Sequence, residues 1–172
     1  PRDAGSQFTA FLKNGGRVIV GEPKVIPIDR TSAFDPIAFI GEGWSIVEQD
    51  ERSLEFTEVD LTKVSFKTML KDGEKTVVGE EKLKRLTASG DICLDAKVFQ
   101  TLWENQRLIP ASWKEPTNGN TTYVFFDGTI LRSSRGSRFV LCLYWLDGKW
   151  RWDCHWLGDE WDAGHPSAVL AR

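Results

Sequence analysis

The clearest pattern of apolar and polar positions lies in the last third of the chain. Residues 138–146 and 149–157 are apolar, aromatic runs on either side of Asp147-Gly148, and residues 122–126 and 129–132 flank Asp127-Gly128 in the same way. Asp-Gly supplies the two positive φ angles of a two-residue type I′ turn, so each dipeptide predicts a hairpin. With residues 133–137 as the link, the four runs predict an antiparallel meander. The turn fixes the register: with Asp147-Gly148 as loop, Trp145 opposes Trp150, Tyr144 opposes Arg151, Leu143 opposes Trp152, Cys142 opposes Asp153 and Val140 opposes His155. Side chains alternate along a strand. One face therefore carries Phe139, Leu141, Leu143, Trp145, Trp150, Trp152, Cys154 and Trp156, and reads as core. The other carries Arg138, Val140, Cys142, Tyr144, Arg151, Asp153 and His155, and reads as a solvated mixed surface.

Upstream, residues 80–88 predict a helix with Leu83 and Leu86 on one side and the i,i+4 pairs Glu80/Lys84 and Glu81/Arg85 on the other, ended by Gly90. Asp95 caps a second helix reaching about Gln106, whose stripe of Val98, Phe99, Leu102 and Trp103 suits the apolar face of the meander. The first part of the chain reads mostly as strand, over residues 17–20, 24–28, 44–49, 54–61 and 63–70. A short helix over residues 7–13 and one helical turn after Asp35-Pro36 interrupt it. Pro27 places its strand at a sheet edge. Asp72-Gly73 is a turn, and residues 115–121, with Asn118-Gly119-Asn120, are a loop. The expectation is one α+β domain over residues 1–172, with antiparallel sheet that includes a C-terminal four-stranded meander, packed by two central helices.

Composition narrows the function classes. The chain has 172 residues, 41% hydrophobic and 27% charged, enough for a real core without staples. A net charge of −3 argues against a dedicated nucleic-acid binder, because phosphate contacts need clustered Lys and Arg. No apolar run approaches the ~20 residues that span a bilayer, so no membrane partner is expected. Residues 1–6 lack the apolar region of a signal peptide, and Cys93, Cys142 and Cys154 are an odd number inside apolar segments. Both point to free thiols in a reducing compartment and to a cytoplasmic protein. Eight tryptophans are present, five of them between residues 145 and 161.

Candidate chemistry is sparse. Asp153-Cys154-His155, followed by Asp159, Glu160, Asp162 and His165, holds both histidines, but its spacing matches no zinc pattern. Cys154 and His155 are adjacent on a strand and point to opposite faces, so they cannot form a nucleophile pair, whereas Cys142 and His155 share a face. The acid pairs Asp50-Glu51, Glu80-Glu81 and Asp159-Glu160 sit at turns and helix starts, where acids are expected. Gly15-Gly16 and Gly41-Glu42-Gly43 lack the setting of a phosphate loop. No cofactor is implied.

The stretch Ser134-Arg135-Gly136-Ser137-Arg138-Phe139-Val140-Leu141-Cys142-Leu143-Tyr144-Trp145, with Asp147-Gly148-Lys149-Trp150-Arg151-Trp152, resembles small uncharacterised bacterial proteins. The resemblance extends to Gly43-Trp44-Ser45-Ile46, to residues 97–105 and to residues 166–170. It implies a bacterial, cytosolic origin and attaches no activity, ligand or catalytic residue. The expected function is a non-catalytic binding or adaptor module. It would recognise a protein, or a short nucleic-acid segment, through Tyr144, Arg151, Asp153 and His155 together with the loop cations Arg135 and Arg138. Two alternatives stand beside it: a small metal-dependent hydrolase using residues 153–165, and a carbohydrate or single-strand binder using exposed tryptophan.

Overall fold

The computed structural model of the chain describes residues 25–171. The helix expected at residues 7–13 and the strand at residues 17–20 lie outside the described residues. In chain order the described elements are β1 (Val25–Pro27), α1 (Pro36–Phe39), β2 (Ser45–Gln49), α2 (Glu51–Leu54), β3 (Glu58–Asp60), β4 (Val64–Lys67), β5 (Val77–Val78) and α3 (Gly79–Ser89). There follow β6 (Ile92–Cys93), α4 (Ala96–Glu104), β7 (Tyr123–Phe125), β8 (Thr129–Arg132), β9 (Arg138–Leu146), β10 (Lys149–Trp156), β11 (Glu160–Trp161) and β12 (Ser167–Leu170). The fold is α+β with predominantly antiparallel sheet.

Local chemistry sets the helix ends as expected. The Asp35 side chain accepts from the amides of Ile37 and Ala38 with Pro36 in the first turn, and Asp95 accepts from Lys97 and Val98. Gly90 closes α3 in the left-handed conformation at φ 78°. Residues 54–61 do not form one strand: Asp50 caps the short helix α2, and β3 begins only at Glu58. The turn between β2 and β3 is therefore no hairpin. β2 pairs with β8, and β3 pairs with β1 at the edge position that Pro27 requires.

The main sheet runs β2-β8-β9-β7-β12-β4, with β10 along the other side of β9 and β6 beside β12. The β9–β10 hairpin has the register read from the sequence, from Leu146↔Lys149 to Phe139↔Trp156. Asp147 and Gly148 take φ of 53° and 75°, as the type I′ turn demands. Asp127-Gly128 behaves differently. Neither residue has a positive φ, and β7 and β8 do not pair with each other. Both run antiparallel to β9 along the same edge, one after the other. Between them the register against β9 slips, and the chain bends towards the segment after β6, where the Gly128 amide donates to the Leu94 carbonyl at 2.9 Å. Gly128 is needed for close approach, since a Cβ there would collide with the Cys93 carbonyl oxygen. The Asp-Gly pair is a bulge that lets one long edge serve both ends of β9.

Each helix of the expected pair covers its own face of this sheet. On the first face, Val98, Phe99 and Leu102 of α4 join Leu141, Leu143, Trp150 and the β1–β3 residues Ile26 and Val59 in the largest core. On the second face, Leu83 of α3 packs on a smaller core of Phe125, Ile130, Val140, Cys142, Leu157 and Trp161. The second face is thus not wholly solvated: Val140 and Cys142 are fully buried. Among the described residues no helix is long and apolar enough to cross a membrane.

Candidate functional site

Beyond the small core, the second face ends in a cluster of rings. Tyr144 of β9 and Tyr123 of β7 are cross-strand partners, with ring centroids 4.7 Å apart. His155, two positions along β10 from Asp153, reaches Tyr123 at 5.2 Å. The loop between β11 and β12 brings His165 onto the same tyrosine, stacked at 5.3 Å and 7°, and 5.8 Å from His155. Thus the two histidines, ten residues apart in sequence, meet over Tyr123, because β7 lies between β12 and the β9–β10 hairpin. Asp162 fixes His165: its carboxylate lies 2.7 Å from His165 Nδ1 and accepts from the Gly164 amide. Burial pushes the Asp162 pKa up, but these hydrogen bonds outweigh it, so the carboxyl stays below its ordinary value.

The electrostatics of the cluster are those of a partly desolvated site. Burial lowers the His155 pKa below its ordinary value against the pull of Asp153, so the ring is neutral near pH 7. Burial also raises the Tyr144 pKa. Beneath the rings lies Lys82 of α3, completely buried. Its ammonium donates to the His165 carbonyl at 2.7 Å and sits over the rings of Phe125 at 4.8 Å and Trp161 at 5.1 Å. Burial lowers its pKa to about 8, opposed mainly by the carboxylate of Asp127. Asp127 is itself buried, carried inward by the bulge, and neither of its side-chain oxygens has a hydrogen-bond partner.

The cluster borders an open cleft of about 630 Å³. Its walls are Tyr123, His165, Asp162 and Gly164 on one side, the 117–121 loop on another and Leu70, Glu74 and Lys75 on the third. Thr117 and Asn120 bridge across Asn118 and Gly119, whose positive φ angles make a tight protruding turn. The exposed side chains of Asn118, Asn120 and Lys75 project from these walls.

The six residues named from sequence do not form one site. Tyr144 and His155 belong to the ring cluster. Arg151 faces Tyr144 and is tied to Asp147 at 3.1 Å, and Asp153 turns back to accept from the Cys154 amide at 2.7 Å. Arg138 lies at the far end of β9, held by Glu48 and Glu80 at 2.6 Å each, while Arg135 is exposed in the turn between β8 and β9. Glu80 therefore pairs with Arg138, not Lys84, although Glu81 does hold Arg85. Sequence reasoning did not single out Tyr123, Lys82 or Asp127. A signal existed for Lys82: positions 79, 82, 83 and 86 share one helical face, so a lysine sits inside the apolar stripe.

Burial raises the thiol pKa of all three cysteines, that of Cys154 to about 12, which leaves them protonated and unreactive. Among the described residues no three His, Cys, Asp or Glu side chains converge as metal ligands would. Of the eight tryptophans only Trp156 is exposed, at 47%. Comparison of the chain with protein-family models, with curated proteins and with solved structures gave no match.

Proposed function

We propose that the protein is a non-catalytic binding module that takes a segment of a partner protein into the cleft beside Tyr123 and His165. One observation supports this reading above others. A concave surface of ligand-site size is walled by immobilised rings on one side and by outward-facing amide and ammonium groups on another. Such a pairing suits an extended polypeptide, whose main chain offers donors and acceptors along its length. Rings already stacked and loops already closed by their own hydrogen bonds lose little freedom on binding. The metal-dependent alternative gains no support from the donor geometry, and a single exposed tryptophan is a poor stacking platform.

The test is affinity capture from the source cell with the wild-type chain and with the Lys75→Ala/Asn118→Ala/Asn120→Ala variant. All three side chains are exposed, and because Asn118 sits at φ 52°, circular dichroism on the variant confirms the fold before capture. A defined set of proteins retained by the wild type and lost by the variant supports the reading. Identical retention by both overturns it.

A further inference from the structure

β10 is an edge strand of unusual length. It pairs with β9 over eight residues and has no second neighbour among the described strands. Edges are commonly blunted by shortness, proline, bulges or inward charge, and this ladder is long, unbroken and proline-free. The hairpin geometry says which groups face outward. The residues flanking a two-residue turn exchange both hydrogen bonds, and bonded and unbonded pairs then alternate. Lys149, Arg151, Asp153 and His155 are thereby committed to β9, and the amides and carbonyls of Trp150, Trp152, Cys154 and Trp156 point away. The bond from the Cys154 amide to the Asp153 side chain agrees: that N–H is free of the ladder and is covered only by a neighbouring carboxylate.

We propose that β10 pairs antiparallel with β10 of a second copy of this chain, about a two-fold axis at Trp152. Charge complementarity selects both the occupant and the register. Centring on Trp152 makes Trp150 oppose Cys154, with the outward backbone groups aligned to bond. It also sets Arg151 of each copy opposite Asp153 of the other, in the unbonded pairs where side chains come closest. A two-fold axis doubles every such contact, giving two Arg151–Asp153 pairs. Each residue gives up only a weak local partner: Arg151 its exposed neighbour Asp147, and Asp153 its own Cys154 amide, which the second copy's carbonyl satisfies instead. At the end of the strand the exposed side chain of Trp156, at 47%, gains cover. A slip of one residue places Arg151 opposite the wrong face, and a slip of two sets Asp153 against Asp153 or Arg151 against Arg151, so the charges also reject other registers.

An interface of one strand pair is small and gives a weak dimer. Sedimentation velocity over a concentration series to about 0.5 mM reads it. The expected result is a weight-average mass rising towards twice that of the chain, less steeply at high salt. D153R places like charges opposite each other and weakens association at least tenfold. The double exchange R151D/D153R restores the pairs and returns association to within about threefold of wild type. Circular dichroism on each variant confirms the fold, and both side chains lie at the surface. A chain that stays monomeric throughout, a D153R that associates like wild type, or a double exchange that fails to restore association while remaining folded, overturns the proposal.

Discussion

The ammonium group of Lys82 and the main-chain carbonyl of His165 are hydrogen-bonded at 2.7 Å, which fastens α3 to the loop that brings His165 into the ring cluster. A buried lysine is a costly fastener. Its pKa falls from 10.5 in the unfolded chain to about 8 in the fold, so between those values the unfolded state binds more protons and stability rises with pH. Below about pH 8 the penalty is present in full. Lys82→Met removes the titration and also leaves the His165 carbonyl unbonded. Urea unfolding at pH 7 and pH 10 should show the wild type gaining stability relative to Lys82→Met on going alkaline, by up to about 3 kcal/mol. The comparison with the variant cancels the opposite slope from the three raised thiols. Parallel pH profiles would mean that Lys82 keeps its ordinary pKa in the fold and carries no burial penalty.

The His155 ring should titrate below 6.5, because burial disfavours its charged form. Stability is then present in full above the unfolded pKa and is lost as pH falls through 6.5 towards the folded value. NMR titration of the ring protons reads the midpoint directly, and His155→Phe should flatten this part of the acid limb of stability. A midpoint at or above 6.5 would place the ring in water.

Trp152 and Trp156 lie on the same face of β10 but differ in surroundings. Trp152 touches Phe39 at 4.9 Å, Phe99 at 6.3 Å and Trp103 at 6.5 Å, whereas Trp156 is half exposed. Trp152→Ala should cost about 3 kcal/mol of unfolding free energy, and Trp156→Ala less than about 1 kcal/mol. Equal effects would contradict the packing of the first face.

Two Asp-Gly glycines should respond unequally to alanine. Gly148→Ala meets nothing within 4 Å, so its cost is the backbone strain of φ +75°, about 1 kcal/mol. Gly128→Ala drives a methyl into the Cys93 carbonyl oxygen and the Leu94 main chain. Those groups are backbone and cannot turn aside, so the loss should exceed about 2 kcal/mol, read from denaturation midpoints.

That same contrast shows what sequence could and could not tell. At Asp147-Gly148 the two flanking runs are long and their partners are each other, so dipeptide and alternation together gave turn, register and face. At Asp127-Gly128 the dipeptide is identical, but both flanking strands have β9 as partner, and the competing contact with Cys93 and Leu94 comes from more than thirty residues away. Local propensity cannot see it. The helices α3 and α4 were legible from caps and stripes. Their placement on opposite faces was not, because Leu83, Leu86 and the α4 stripe are equally good partners for any apolar surface. The strands β5, β6 and β11, at two residues each, carry too little alternation to announce themselves. His155 was placed correctly on its face, and His165 was noticed as a residue. Their meeting depends on the path through β11 to β12, which the spacing of ten residues does not encode.

The position of β12 bears on how the chain assembles. Ser167–Leu170 lies between β4 and β7 and also pairs with β6, and it is made after all three. During synthesis the β9–β10 hairpin can close at once, since its contacts are local. β4, β6 and the lower half of β7 must wait with open edges until residues 167–170 have left the ribosome. The nascent chain therefore passes through a period in which its sheet is split in two, and this is when mispairing is most dangerous and when a holding chaperone has something to bind.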